Sequence, residues 1–196
     1  MGKMVKFIPN GITTTRIIMS FIFVYLAVVQ FEYGKGEFES LIVVFLAICF
    51  SDLLDGKIAR KMGWVSTIGA KLDVFADLLY IILSYTTLII LKILPIWFLG
   101  FVCFKFIEFV ITSRFINNNT ESLKNPFVFD KIGRIVSAMF FIIPGITCIY
   151  KYLMPDNKWY LINFLLYTIS LAGICSSFFR IKRCFILRYK QNCYVR

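Results

Sequence analysis

Histidine is absent from these 196 residues. That excludes Ser-His-Asp and Cys-His catalysis, His-built metal sites and any phosphohistidine intermediate, and leaves carboxylates to carry the chemistry. Acidic residues are themselves scarce, 11 against 22 Lys+Arg, and charged residues make up only 17% of the chain. None of the six cysteines (Cys49, Cys103, Cys148, Cys175, Cys184, Cys193) stands in a CxxC pair. Four of them fall in apolar runs, where a thiol behaves as a small apolar group, so they are assigned no function. The apolar run that begins at Ile17 lacks a small-residue cleavage site of the A-x-A kind. The basic start with Lys3 and Lys6 is therefore not expected to be a removed signal peptide, and the first apolar run is expected to stay.

Apolar side chains are what the sequence has in excess: 59% hydrophobic and 18% aromatic, with mean hydropathy +0.78. Soluble domains hold roughly 45–50% apolar residues, so a water-facing globule is excluded and an integral membrane domain is expected. Charge-free stretches run over 17–31, 40–51, 78–91, 93–104, 135–150 and 159–179, six candidate helices in all. Several are shorter than the roughly 20 residues that cross hydrocarbon, so they must extend into charged flanks. The second is expected to run toward Asp52, the third back toward Asp73, and the fourth through Lys105 and Glu108. Gly34 and Gly36, Pro95, Asn117–Asn119 with Pro126, and Pro155 punctuate the intervals, while Pro144 falls inside the fifth run and is expected to kink it.

Seventeen of the 22 Lys+Arg fall before the first run, between the second and third, between the fourth and fifth, or after the sixth; four fall in the other connections. The expected fold is thus an all-α membrane protein of six transmembrane helices with both termini cytoplasmic, one domain over 1–196 with a basic tail at 180–196. The net charge of +11 then points to an anionic lipid surface rather than to nucleic acid. Phe185, Ile186, Leu187 and Tyr189 among the tail cations fit a segment lying on that leaflet.

Four of the eleven acidic residues stand in one window, Asp52, Asp55, Asp73 and Asp77. The first pair is spaced i,i+3 at the end of the second helix and the second pair i,i+4 at the start of the third, so each pair shares a helix face. Four like charges at a membrane boundary repel and are costly to desolvate unless cations neutralise them, and all-oxygen ligation suits Mg²⁺ or Mn²⁺, with room for two ions. Gly56, Ala59 and Gly69 permit close approach, Arg60 offers a fork for phosphate, and Lys57, Lys61 and Lys71 are chiefly topology determinants. A two-cation site beside Arg60 suits phosphoryl transfer on a polyphosphate at a membrane. Lys105 and Glu108, three apart on one helix face, either neutralise each other or meet substrate. The competing reading is a small ion or proton transporter using the same carboxylates, but it has no use for Arg60 and the glycine spacing, and it predicts acidic residues on several helices across the midplane.

The spacing Asp52-x2-Asp55-Gly56-x2-Ala59-Arg60-x8-Gly69-x3-Asp73-x3-Asp77 resembles, at all eight specified positions, the signature of the CDP-alcohol phosphatidyltransferases. The opening 8–13, followed by Arg16, looks like the start of the bacterial phosphatidylglycerophosphate synthases within that family. The resemblance implies transfer of a phosphatidyl group from CDP-diacylglycerol to an alcohol, with CMP leaving, in phospholipid biosynthesis. It implies that Asp52, Asp55 and Asp73 hold the metals and that Asp77 is the general base and also ligates. It further implies that Gly56, Ala59, Arg60, Ser66 and Gly69 meet the CDP part, that the enzyme is a homodimer in the plasma membrane, and that the site faces the cytoplasm. Glycerol 3-phosphate is the expected acceptor, with Arg114, Lys131 and Arg134 on the same side as candidate phosphate contacts; serine and inositol phosphate are the alternatives. Those synthases usually place Pro and Lys after the third and fourth motif Asp, where this chain has Val74 and Leu78, and Arg before the Glu of the fourth span, where this chain has Ile107.

Overall fold

A computed structural model describes residues 8–62, 67–118, 131–154 and 160–194, and the side chains of 13–53, 72–116, 133–154 and 160–186 among them. Every element in the described residues is helical: α1 (Ile8–Phe31), α2 (Phe38–Met62), α3 (Thr67–Ile90), α4 (Ile96–Asn118), α5 (Lys131–Leu153) and α6 (Tyr160–Tyr194). The shortest has 23 residues, about 35 Å at 1.5 Å per residue and enough to cross a hydrocarbon core of about 30 Å. Five of the six carry a long apolar stretch of spanning length, Thr13–Phe31, Leu72–Ile90, Ile96–Ile116, Gly133–Leu153 and Tyr160–Ile186. As expected from the short charge-free runs, α2 continues through Asp52, α3 starts ahead of Asp73, and α4 contains Lys105 and Glu108. The helix α5 continues through Pro144.

Polar groups are buried beside the apolar interior, and large apolar side chains face outward. On α1, Thr13, Arg16 and Ser20 are buried while Ile18, Phe21, Ile22 and Tyr25 are exposed; on α6, Ser170, Ser176 and Arg180 are buried while Phe164, Tyr167, Leu171 and Phe178 are exposed. Large apolar side chains facing outward along whole helices are tolerable only where the surroundings are apolar too, which is the condition of a multi-pass membrane protein. The buried hydroxyls meet the demand for internal partners by bonding back along their own helices: Ser20 donates to the Arg16 carbonyl at 2.8 Å, Ser84 to Tyr80 at 2.7 Å and Ser170 to Leu166 at 2.8 Å.

Two packed units are present. The first comprises α1, α2, α3 and α5 from Phe141 onward; the second comprises α4, α5 up to Phe140, and α6. In the first, α1 packs on both α2 and α3, and an aromatic cluster fills the interior: Phe23 lies 6.4 Å from Phe45 and 5.7 Å from Tyr80, and Tyr80 lies 4.7 Å from Phe141, ring centre to ring centre. Gly145 is the counterpart of that cluster, because a Cβ there would overlap the Phe45 ring. In the second unit, Phe140 meets Phe98 and Phe101 edge-on, and Gly173 of α6 lets Phe101 come close enough to exclude a Cβ.

Two chain reversals are closed by residues in the left-handed region. Gly34 (φ 63°) follows α1, with the Lys35 amide on the Val29 carbonyl at 3.3 Å; Lys92 (φ 57°) follows α3, with the amides of Ile93 and Leu94 on the Leu88 carbonyl at 2.8 and 3.1 Å. Substituting Gly145 by Ala is expected to cost about 1–3 kcal/mol, the ordinary penalty for overpacking a filled interior. Thermal unfolding in detergent would show it, and adding Phe45→Leu should recover part of the loss; a double variant no more stable than Gly145→Ala alone would remove the Phe45 contact from this account.

Candidate functional site

The first unit gathers the acidic motif around a cation from α1. One carboxylate oxygen from each of Asp52, Asp73 and Asp77 lies within 4.8 Å of the others. Arg16 Nη1 sits among them, 2.6 Å from Asp77 Oδ1, 2.8 Å from Asp73 Oδ1 and 3.3 Å from Asp52 Oδ1. Its Nε donates to Ser51 Oγ at 3.4 Å, and Ser51 in turn donates to the Ile48 carbonyl at 2.8 Å. The helices explain the convergence: Asp73 and Asp77 are one turn apart on α3, Asp52 lies on α2, and α1 packs on both. The Arg16 side chain is 0% exposed, whereas those of Asp52 and Asp73 are 37% and that of Asp77 30% exposed. The cation therefore closes the inner side of the cluster while the carboxylates remain open on the other.

The described carboxylates fit a divalent cation. Oxygens on opposite sides of one such ion stand about 4–5 Å apart at ordinary ion–oxygen lengths, which is the spread found here. A positively charged nitrogen already stands among the three carboxylates, and among the described residues they outnumber it three to one, an excess of oxygen ligands that suits a further cation.

Of the other motif residues, Asp55, Gly56, Ala59 and Arg60 fall on α2 beyond Asp52, and Gly69 falls on α3. Their side chains, and all of Ser66, lie outside the described residues. Arg114 on α4 and Arg134 on α5 are exposed residues of the second unit, and Lys131 opens α5 with its side chain outside the described set.

Sequence reasoning did not place Arg16 in the site. Read alone it is one more cation near a helix start, where membrane topology calls for positive charge. The available signal was its spacing with Thr13 and Ser20, which puts a polar stripe along the buried face of an apolar helix.

A second polar cluster joins α4 and α6 within the second unit. Lys105 Nζ lies 2.8 Å from Glu108 Oε2 and 2.7 Å from Ser177 Oγ, and Ser177 donates to the same Glu108 oxygen at 2.6 Å. The ion pair is nine-tenths buried, and Glu108 Oε1 has no hydrogen-bond partner among the described residues. One turn on, Arg180 donates to Thr112 Oγ1 and Ser113 Oγ, each at 3.0 Å, with its guanidinium 4.7 Å above the Phe109 ring. Arg180 is thus a buried interhelical residue, not part of a surface tail as the sequence implied, and α6 runs on as helix to Tyr194. Of the two readings offered for Lys105 and Glu108, mutual neutralisation or contact with substrate, the ion pair of the first is present.

Comparison with known proteins agrees with the motif. The sequence model described as CDP-alcohol phosphatidyltransferase matches residues 6–174. The cardiolipin synthase (CMP-forming) of Streptomyces coelicolor is 35% identical over 91 residues, 46% of this chain and 42% of that protein. The CDP-diacylglycerol–glycerol-3-phosphate 3-phosphatidyltransferase of Bacillus subtilis is 32% identical over 114 residues, 54% of this chain and 58% of that protein. The alignments thus span about half the length of these curated relatives.

Replacing Lys105 by Met is expected to destabilise the fold by about 3–5 kcal/mol, because it strands the Glu108 carboxylate inside the α4–α6 contact. Lys105→Met with Glu108→Leu should recover most of it. Equal stability of the single variant and the parent in detergent melts would show that the ion pair contributes nothing.

Proposed function

The chain belongs to the CDP-alcohol phosphatidyltransferase family, and on that premise we propose that it transfers the phosphatidyl group of CDP-diacylglycerol to an alcohol with release of CMP. One observation carries the proposal. Three motif carboxylates, brought from α2 and α3, converge within 4.8 Å about a buried guanidinium, with an open side where a diphosphate can approach.

Asp52, Asp55, Asp73 and Asp77 are the groups to hold two Mg²⁺ or Mn²⁺ ions. Bound there, the ions would neutralise the diphosphate and raise the acidity of the acceptor hydroxyl. The rest falls to the chain's own residues. Asp77 takes the proton from the acceptor hydroxyl; the freed oxygen pair forms a bond to the phosphorus bearing diacylglycerol, and the bond from that phosphorus to the CMP oxygen breaks. Gly56, Ala59, Arg60, Ser66 and Gly69 hold the CDP part.

The acceptor proposed is glycerol 3-phosphate, which supplies a hydroxyl and a phosphate for Arg114, Lys131 and Arg134. The name of the Bacillus relative supports that choice. The name of the Streptomyces relative supports a second reading, formation of cardiolipin. Either reaction works on membrane lipid, which accords with five long apolar helices. The proposed setting is the plasma membrane, with α2 as a sixth span, both termini and the site cytoplasmic, the 196 residues forming one catalytic domain, and a homodimer as the working unit.

Purified protein given CDP-diacylglycerol, Mg²⁺ or Mn²⁺ and glycerol 3-phosphate is expected to release CMP, with phosphatidylglycerol, serine and inositol phosphate as parallel acceptors. Asp77→Asn should lower the rate by about 10²–10⁴, the usual contribution of a general base, and a chelator should abolish it. Undiminished CMP release by Asp77→Asn would remove Asp77 from the proton transfer, and no release with any acceptor would sink the transferase reading.

A further inference from the structure

The residue the motif does not name is the one at its centre. Arg16 comes from α1, carries no exposure, and gives one nitrogen to three carboxylates on two other helices. It is held from behind: Nε lies on Ser51 Oγ, and Ser20, one turn along, bonds the Arg16 carbonyl. A guanidinium so placed carries out, in the metal-free protein, the neutralisation that divalent ions would carry out in the loaded one.

Both cannot hold the same oxygens in the same way. An ion that took the Oδ1 atoms of Asp52, Asp73 and Asp77 at ligand distance would compete with Nη1 for them, and two cations held by the same three carboxylates repel each other. We infer that Arg16 is a resident counter-cation that competes with divalent metal for the Asp52, Asp73 and Asp77 carboxylates, stabilising the empty site and setting how readily metal enters. The inference rests on the reading of this cluster as a divalent-metal centre. Arg16 acts here through the carboxylates and is a positioning residue.

A merely structural arginine and a competing one differ in the sign of one measurement. Removing a structural support loosens the site and weakens metal binding, whereas removing a competitor strengthens it. Mn²⁺ uptake by the purified, metal-free protein in detergent, followed by loss of the free-ion paramagnetic resonance signal, reads this without turnover. Arg16→Ala is expected to lower the melting temperature of the metal-free protein, to bind Mn²⁺ about tenfold more tightly than the parent, and to gain more in melting temperature when Mn²⁺ is added. Methylguanidinium, filling the vacated place, should bring the Mn²⁺ affinity of the variant back toward the parent's and leave the parent unchanged; it also supports the variant during purification.

Mn²⁺ affinity in Arg16→Ala equal to or below the parent's would overturn the competition while leaving the metal centre standing. Tighter binding that methylguanidinium does not reverse would overturn it as well, because the gain would then not come from the vacated cation place. A parent protein that takes up no Mn²⁺ would bring down the metal centre and this inference together.

Discussion

Burial of the Arg16 guanidinium among three aspartates is the contact on which the first unit depends. In an apolar membrane interior, helices gain little from hydrophobic attraction to one another, because lipid tails are as apolar as the side chains they would replace. A charge with no exposure is far costlier than any apolar mismatch unless it is paired. Arg16 can stand where it does only if Asp52, Asp73 and Asp77 stand where they do, so one guanidinium fixes α1, α2 and α3 in rotation and height together. The aromatic cluster of Phe23, Phe45, Tyr80 and Phe141 can then fill what remains, with Gly145 giving up its side chain to Phe45.

The second unit solves the same problem with different chemistry. Lys105, Glu108 and Ser177 form a closed triangle of short contacts, and Arg180 finds two hydroxyls and an aromatic face. Here the helices meet at Gly173, which admits the Phe101 ring, and at Ser177, small residues four apart along α6. The contrast between the clusters is one of charge. The α4–α6 triangle pairs one carboxylate with one ammonium, whereas the Arg16 cluster holds three carboxylates against one guanidinium. In the first, one Glu108 oxygen is shared by Lys105 and Ser177 while the other has no hydrogen-bond partner among the described residues; in the second, the described carboxylates outnumber the guanidinium, which suits the cations proposed for it.

Most of the helix plan was legible because its signals are local. Charge-free runs, breakers and the one-turn spacing of Asp73 and Asp77 are each read within a single helix, and the helices follow them, including the extension of α2 past Asp52. What was not legible joins residues far apart in the chain. Arg16 meets partners 35 to 61 positions away, and Arg180 meets α4 residues 67 to 71 positions back. Each stands at the edge of a charge-free run, and the topology rule accounts for cations there so readily that it hides any second role. A buried stripe has its own mark, polar residues recurring every three or four positions inside an apolar run. Thr13, Arg16 and Ser20 on α1, and Ser170, Gly173, Ser177 and Arg180 on α6, both carry it.

The exposure gradient across the cluster gives the site a direction. Arg16 closes it from within, and each carboxylate keeps about a third of its surface open. The partly exposed carboxylates are where the proposed ions and diphosphate would meet the cluster. The lipid-linked nucleotide proposed as donor would have the matching polarity, a polar diphosphate and nucleotide joined to apolar acyl chains. With Asp73 and Asp77 one turn apart on α3, and α3 running on into an apolar stretch to Ile90, the groups proposed for cation binding and for proton removal stand on one rigid rod. Their separation is then fixed by helix geometry. That rigidity is what an in-line displacement between two bound oxygens requires, and it follows from the i,i+4 spacing without further help from loops.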